Sequence, residues 1–535
     1  MIFVRIPHPA SRNTQHATRN TQHASRIPYP HTTRNPHPTM NRRDFIRTTA
    51  LAASAVAISK TAFGATKNAS APAASAAPGT PAPALDGFPV VRTPLAKRRF
   101  TSAAVESTIA RVQSSIGNKE IAWLFGNCFP NTLDTTVDFS MNNGRPDTYV
   151  ITGDIDAMWL RDSSAQVYPY LQLEKEDEPL RQLIAGVINR QTRCILKDPY
   201  ANAFYKDAAK RGDWAKDITD MKPGVHERKW EIDSLCYPIR LAHGYWKTTG
   251  DTSPFDAAWH DAIRLTLRTF REQQRKTGRG PYHFMRRTQW ATDTVPGRGY
   301  GNPAKPVGLI YSMFRPSDDA TIFPFLVPSN FFAVVSMRQA AEMVEKLRND
   351  TALAAQCRAL ADEVEAALKQ YAIVDHPKAG RVYAFEVDAF GNYYCTDDGN
   401  IPNLLSLPYI GAVKPDDEVY LNTRRMLLSP QNPYWCVGKA ASGLGGPHVG
   451  VDMIWPLGVI IEGLTATTDE EIARCLKTLQ TTHAGTGFIH EAFHKDDPNN
   501  FTRKWFAWAN TIFGEFVLKT FNERPRLLEQ AGAQK

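Results

Sequence analysis

The segment Ile151-Thr-Gly-Asp-Ile-Asp-Ala-Met-Trp-Leu-Arg-Asp-Ser-Ser-Ala-Gln166 sets three acids (Asp154, Asp156 and Asp162), Trp159 and Arg161 among aliphatic and small residues. A solvated charge run would not carry Ile155, Met158, Trp159 and Leu160 between its charges. The mixture reads as a polar constellation set into a packed wall. Carbohydrate sites need these residue types. Carboxylates and a guanidinium pair with hydroxyls, and an indole covers the apolar face of a sugar ring. Taken alone, the same residues also describe a buried Asp–Arg pair holding a turn, because structural ion-pair networks and sites look alike in sequence.

The composition is that of a globular chain with room for a large core: 535 residues, 42% hydrophobic and 22% charged. The formal net charge of +9 points at first to an anionic partner. Residues 1–64, however, hold nine of the 63 Lys and Arg and one of the 54 acids, which leaves the rest of the chain at +1. A near-neutral body gives no reason to expect nucleic acid.

Residues 1–39 repeat Arg-Asn-Thr-Gln-His-Ala at Arg12 and Arg19 and offer almost nothing apolar to bury, so they are expected not to fold. Met40 is the expected true start. From there, residues 40–64 read as a twin-arginine signal peptide. Arg42-Arg43 stands ahead of Asp44-Phe45-Ile46, a short apolar run follows from Ala50 to Ile58, and Ala62-Phe63-Gly64 suits cleavage. Residues 65–90 are an Ala/Pro/Ser linker, and 91–530 the expected catalytic domain. No later run of 18 apolar residues exists, so no membrane span is expected in the mature protein. The expected location is exported, periplasmic or extracellular, by the bacterial twin-arginine machinery, and the expected state is a monomer.

Seven cysteines (Cys128, Cys194, Cys236, Cys357, Cys395, Cys436 and Cys475) stand far apart with no CxxC, which is neither a zinc framework nor a disulfide scaffold. Cys357 and Cys475 fall on apolar helix faces and read as core. One disulfide is compatible with an oxidising compartment.

The body reads as helices joined by long aromatic loops. Val334, Met337, Ala341, Val344 and Leu347 form one stripe, and Leu353, Cys357, Leu360, Val364 and Leu368 another. The break at Asn349-Asp350-Thr351 makes the two an antiparallel pair. Thr468-Asp-Glu-Glu471 matches a capping box. Further helices are predicted near 164–175, 181–196, 231–248, 255–275, 417–428, 451–464 and 505–520, with one β-hairpin at 381–395 turning at Gly391-Asn392. No dinucleotide or phosphate-loop glycine pattern is present.

Unusual residues gather in the loops: Trp230-Glu-Ile-Asp233, Phe314-Arg-Pro-Ser-Asp-Asp319, Asp397-Asp-Gly-Asn400, Gly445-Gly-Pro-His448 and Phe488-Ile-His-Glu491. Each has a plain explanation singly. Asp318-Asp319 could cap a helix, His448 could be a satisfied core histidine, and Trp505, Phe506 and Trp508 could be core. Their recurrence on one helical body favours a glycosidase-like pocket.

Together the motifs resemble glycoside hydrolase family 125, the exo-α-1,6-mannosidases. The resemblance rests on Thr152–Ser163, Glu231–Pro238, Phe314–Asp319, Pro447-His448, Ile454-Trp-Pro456, His490-Glu-Ala-Phe493 and Trp505–Asn510, in that order, over roughly residues 95–525. Gly399 departs from the pattern, where a residue with a side chain is expected. The resemblance implies an all-α (α/α)6 toroid and an inverting hydrolase that releases non-reducing terminal α-1,6-linked mannose from glycans without metal or other cofactor. It implies Glu491 as base and one of Asp318 and Asp319 as acid, with Asp318 favoured. It further implies Trp159 and Trp455 as sugar platforms, and Asp154, Arg161, Asp162, Asp233, Arg315, His448 and His490 as residues that hold or orient hydroxyls. Adjacent aspartates facing one space would suppress each other's ionisation and keep one protonated.

Rival readings are another (α/α)6 carbohydrate enzyme, an inverting glucosidase or a polysaccharide lyase, and a non-catalytic sugar-binding protein. A lyase would favour a strongly basic cleft, and a binder has no use for paired acids. His490-Glu491-Ala-Phe-His494 also fits the bare His-Glu-x-x-His zinc string, with little room for the helix such a site needs. Replacing Arg42 and Arg43 together by Lys is expected to retain the precursor in the cytoplasm, read by cell fractionation. Unchanged extracytoplasmic yield would remove the signal, and a native N-terminus upstream of Met40 would remove the start.

Overall fold

The computed structural model describes Leu85 and residues 87–529. The low-complexity segment 1–39, the signal 40–64 and most of the linker 65–90 lie outside the described residues. Helices dominate. Leu160–Val167 packs against Asp233–Thr249, which packs against Val327–Arg348; on the other side Leu160–Val167 meets Ala507–Glu523, which meets Pro456–Leu464. A second set lies against these: Glu178–Lys197 on Ala257–Gln273, Thr351–Tyr371 on Val327–Arg348, and Asp469–Thr482 on Pro456–Leu464. One continuous apolar core runs through them and includes the buried Trp230, Trp455 and Trp508. Among the described residues no helix is long and apolar enough to cross a membrane.

The apolar stripes do what their spacing predicts. Val334, Met337, Ala341 and Val344 are buried against Leu353, Cys357, Leu360, Val364 and Leu368. Asn349 ends the first helix in the left-handed region at φ 53°, and the Asp350 carboxylate accepts from Leu353 N to start the second. Thr468 accepts from Glu471 N as a cap. The Glu471 carboxylate does not return to close the box; it pairs with Arg424 at 2.6 Å. Cys357 and Cys475 are core, and none of the seven cysteines is paired.

Several expectations are corrected. The helix expected over 164–175 starts at Leu160 and tightens into a 3-10 turn from Tyr168, where Pro169 removes a helix donor. The helix expected from 451 starts at Pro456, because Met453–Ile454 pair as a strand with Ala492–His494. The 381–395 hairpin is narrower: Glu386–Val387 pairs with Tyr393–Tyr394, while Gly380–Tyr383 turns back onto Ile373–His376. Instead of one hairpin there are six small sheets among the described residues. Three helices near the start, Ala103–Ser115, Lys119–Cys128 and Asn131–Thr135, were not anticipated.

One side chain ties that unanticipated start to the rest. The buried Asp177 caps its own helix by accepting from Leu180 N at 3.0 Å. Its other oxygen accepts from Ser102 Oγ at 2.6 Å and Ala104 N at 3.2 Å, at the start of Ala103–Ser115. A single carboxylate thus serves two helix N-termini, where negative charge is favourable. Asp177→Ala is expected to cost about 2–3 kcal/mol, roughly one cap's worth at each helix. Asp177→Asn should keep about half of it, since an amide nitrogen cannot replace the oxygen that accepts from Ser102 Oγ and Ala104 N, and denaturant midpoints of the three proteins check this.

Candidate active site

The Ile151–Gln166 segment is docked by its backbone before its side chains act. Gly153 sits at φ 133°, and a Cβ there would lie 2.2 Å from the Trp505 carbonyl oxygen. Asp154 N donates to that carbonyl at 3.2 Å, and Ala507 N donates to Thr152 O at 3.0 Å. Only glycine permits this approach. The segment then turns into the helix Leu160–Val167, which carries Arg161 and Asp162 inward.

Arg161 is 2% exposed. Its Nη1 donates to Glu231 Oε2 at 2.6 Å and Asp233 Oδ2 at 3.1 Å, its Nε stands 3.5 Å from Asp162, and its Nη2 stands 3.6 Å from Asp318. Asn202 Nδ2 reaches Glu231 Oε1 and Asp318 Oδ1, both at 3.3 Å. One guanidinium therefore faces four carboxyl groups. Burial pushes the Glu231 carboxyl well above its ordinary range; Arg161 opposes this, and Asp318 and Asp233 add to it. Burial pushes Asp162 up to about 6, again opposed by Arg161 and reinforced by Asp318. The cluster is a place where protons stay on carboxyl groups.

Asp318 occupies the left-handed region at φ 68°, and its side chain is 24% exposed. Backbone bonds close its loop: Asp318 N to Arg315 O at 2.9 Å, Arg315 N to Asp319 O at 2.8 Å, and Ala320 N to Thr292 O at 2.7 Å. Lys229 Nζ donates to Asp318 O at 2.9 Å. Asp319 goes elsewhere. It is 4.0 Å from His448 Nδ1, and His448 stacks on Trp455 with centroids 5.9 Å apart. The two aspartates therefore do not crowd each other as expected; Glu231 supplies the crowding at Asp318.

Glu491 is held by a hydroxyl and a guanidinium. Thr502 Oγ1 donates to its Oε2 at 3.0 Å and Arg503 Nη1 to its Oε1 at 3.3 Å. Arg503 also donates to Asp154 Oδ1, from Nε at 2.8 Å and Nη2 at 2.6 Å. Glu491 immediately precedes the strand Ala492–His494, whose pairing with Asp497–Thr502 brings Thr502 and Arg503 to it.

The expected site residues divide. Asp318, Arg161, Asp162 and Asp233 form one group, Glu491 and Asp154 a second, and Asp319, His448 and Trp455 a third. Asp233 is fully buried on Arg161, where it shapes the cluster. Arg315 is 2% exposed and bonded to Glu386 at 2.6 Å; Glu386 also accepts from Ile322 N and Phe323 N, so the pair braces the aspartate loop. His490 points away from Glu491, as neighbours in extended chain do. It stacks on Phe501, bonds Thr486 at 3.0 Å, and burial pushes it down to about 4. Trp159 and Trp455 are 6% and 1% exposed, so at most an edge of either meets a ligand; Trp159 packs against His226. The His-Glu-x-x-His string runs into a strand, which denies its histidines a common helix face. Gly399, the departure from the family pattern, lies where a Cβ would be 2.3 Å from Trp455 Cβ.

Sequence reading missed Glu231, Asn202, Glu386 and Arg503. Glu231 and Glu386 carried a signal, an acid framed by Trp230 and Ile232 or by Phe385 and Val387. Arg503 carried none, since it stands between ordinary polar neighbours and is recruited by strand pairing.

The family description "Metal-independent alpha-mannosidase (GH125)" matches residues 118–518. The chain is 40% identical over 461 residues, 83% of its length and 90% of the other's, to the meiotically up-regulated gene 157 protein of Schizosaccharomyces pombe. It is also similar to a solved metal-independent α-mannosidase of Streptococcus pneumoniae in a non-productive complex with α-1,6-mannobiose, at 41% identity and TM-score 0.77, covering 80% of this chain and all of that one. A chain so matched belongs to glycoside hydrolase family 125, the metal-independent α-mannosidases.

Proposed function

We propose that the chain is an exo-acting, inverting α-mannosidase that releases non-reducing terminal α-1,6-linked mannose, with Asp318 as general acid and Glu491 as general base. The observation that carries this reading is the contrast between the two carboxyl environments. Asp318 shares one guanidinium with three other carboxyl groups, among them Glu231, whose carboxyl burial pushes up, and it is the most exposed of the four, open to a leaving oxygen. Glu491 accepts from a threonine hydroxyl and from Arg503, which it shares with Asp154, donors suited to a carboxylate that activates water. Inverting glycosidases divide their two carboxyls in this way, about 6.5–9.5 Å apart with water between.

Asp318 is chosen over Asp319 because its side chain is the more exposed of the two, 24% against 5%. Asp319 and His448, beside Trp455, are assigned to mannose hydroxyls, with Asp154 and Asp162 between the two catalytic groups. The α-1,6 linkage is the one in the ligand of the Streptococcus pneumoniae relative. The consecutive packing of Pro456–Leu464, Ala507–Glu523, Leu160–Val167, Asp233–Thr249 and Val327–Arg348, each backed by a second layer, supports an (α/α)6 toroid. Export through the twin-arginine route is part of the same reading, and it places the substrate outside the cytoplasm.

Purified protein incubated with α-1,6-, α-1,2- and α-1,3-linked mannobiose is expected to release mannose from the first only. Proton NMR should show β-mannose before mutarotation. Initial α-mannose would overturn inversion, and comparable cleavage of another linkage would overturn the specificity.

Glu491→Gln should lower kcat by about 10²–10⁴, the size of a general acid–base contribution. Asp318→Asn should lower it similarly on mannobiose but recover in part on an aryl mannoside with a good leaving group, since departure then needs no proton. Recovery in Glu491→Gln instead would reverse the roles, and recovery confined to Asp319→Asn would move the acid to Asp319.

A further inference from the structure

We propose that Arg503, braced by Asp154, is the positioning residue that aims the Glu491 carboxylate and sets the pH range over which it acts as base. The inference rests on the assignment of Glu491 above and adds a residue that the sequence motifs did not indicate.

The geometry is unequal. Asp154 takes two donors of the guanidinium on one oxygen, at 2.8 and 2.6 Å, while Glu491 receives a single longer contact at 3.3 Å. Thr152 Oγ1 adds a third acceptor at 3.2 Å, and the guanidinium lies 4.7 Å from the Phe506 ring centroid. Asp154 thus absorbs most of the arginine's charge-assisted bonding, and the residual contact orients Glu491 without saturating it. A base bonded as tightly as Asp154 would be a poor proton acceptor. Arg503 itself stands at φ 42°, a left-handed backbone uncommon for a non-glycine residue and found disproportionately at functional sites.

The charged groups that face this pair come from three segments. Asp154 belongs to the docked loop, Asp162 and behind it Arg161 to the Leu160–Val167 helix, and Glu491 to the residue before the strand Ala492–His494, where the uncharged Thr502 also bonds it. His490 is turned to Thr486. Arg503 is the cation nearest Glu491, and Asp154 is the anion that competes for it.

The experiment compares kcat/KM-against-pH profiles for wild type, Arg503→Met, Arg503→Lys, Asp154→Asn and Glu491→Gln on α-1,6-mannobiose, with thermal midpoints. The acidic limb reports the base. Loss of the guanidinium in Arg503→Met should move that limb to higher pH by about one unit, the usual effect of removing an opposite charge at this range. The plateau should fall by about 10–100-fold through loss of alignment. Arg503→Lys should return the limb towards wild type while recovering less of the plateau, because an ammonium supplies charge but not the planar fork. Asp154→Asn should move the limb the other way, to lower pH. Should Arg503→Met not fold, Asp154→Asn still reads the limb's move to lower pH and Arg503→Lys the fall of the plateau at a near-wild-type limb. Limbs that stay at the wild-type pH while midpoints fall would overturn the proposal and leave Arg503 a fold contact. Full activity in Glu491→Gln would instead overturn the assignment of the base on which it rests.

Discussion

Everything at the centre of this molecule turns on a shortage of positive charge around Arg161. Glu231, Asp233, Asp162 and Asp318 converge on one guanidinium that is almost fully buried. An apolar interior does not accept several unbalanced anions; such groups keep protons instead. The upward push on Glu231 and Asp162 follows from that electroneutrality. Arg161 and Asp162 come from the helix Leu160–Val167, Asp233 from the start of Asp233–Thr249, and Glu231 and Asp318 from loops, so the cluster forms only when the chain has folded. Lys229 balances part of the charge, but it is itself committed to Asp293 and Glu227 and reaches Asp318 only at the backbone oxygen.

The opposite half of the site is built by backbone. Gly153 lets residues 152–154 lie directly on residues 505–507. That contact carries Asp154 to Arg503, while strand pairing between Ala492–His494 and Asp497–Thr502 carries Glu491 to the same arginine. Removing the glycine would displace a carbonyl, not merely a side chain, so the register of the second carboxylate depends on one missing methyl group. Asp162, one residue beyond Arg161, lies between the two halves and feels both Asp318 and Arg503.

The helices were legible where burial is one-sided. The stripe ending at Leu347 and the one beginning at Leu353 announced a helix pair, because apolar periodicity and a break residue are local signals. Ala103–Ser115 and Lys119–Cys128 were passed over, although Ser102 and Asn118 cap them, because their flanks lack the loop motifs that drew attention elsewhere. Most of the small sheets were illegible, since strands of two to four residues carry no period; Val137–Asn142 and Arg145–Val150, which pair over six residues about Asn143-Gly144, are an exception, with a local turn signal. At the site, residue types were readable and their partners were not. Arg161 and Asp162 could be read from one segment, but Glu231 as the neighbour that crowds Asp318 is a tertiary fact. The inference from adjacency failed at Asp318-Asp319 for the same reason: the left-handed turn at Asp318 sends consecutive carboxyls to different partners.

The cost of this centre is itself evidence about its purpose. Replacing a buried ion cluster by packed apolar residues is often neutral or stabilising, whereas breaking one partner away costs about 3–5 kcal/mol. Stability alone therefore gives no reason to place four acids and an arginine where Tyr237, Trp230 and Trp508 already supply a core. The same holds for the left-handed backbone at Asp318 and at Arg503, two non-glycine residues that border the two carboxyl groups in question. Helices could close around an apolar centre with less strain. What an apolar centre could not do is provide carboxyl groups in two different surroundings, a cluster on a shared guanidinium and a carboxylate held by an arginine and a threonine, and two such surroundings are what the proposed acid and base call for.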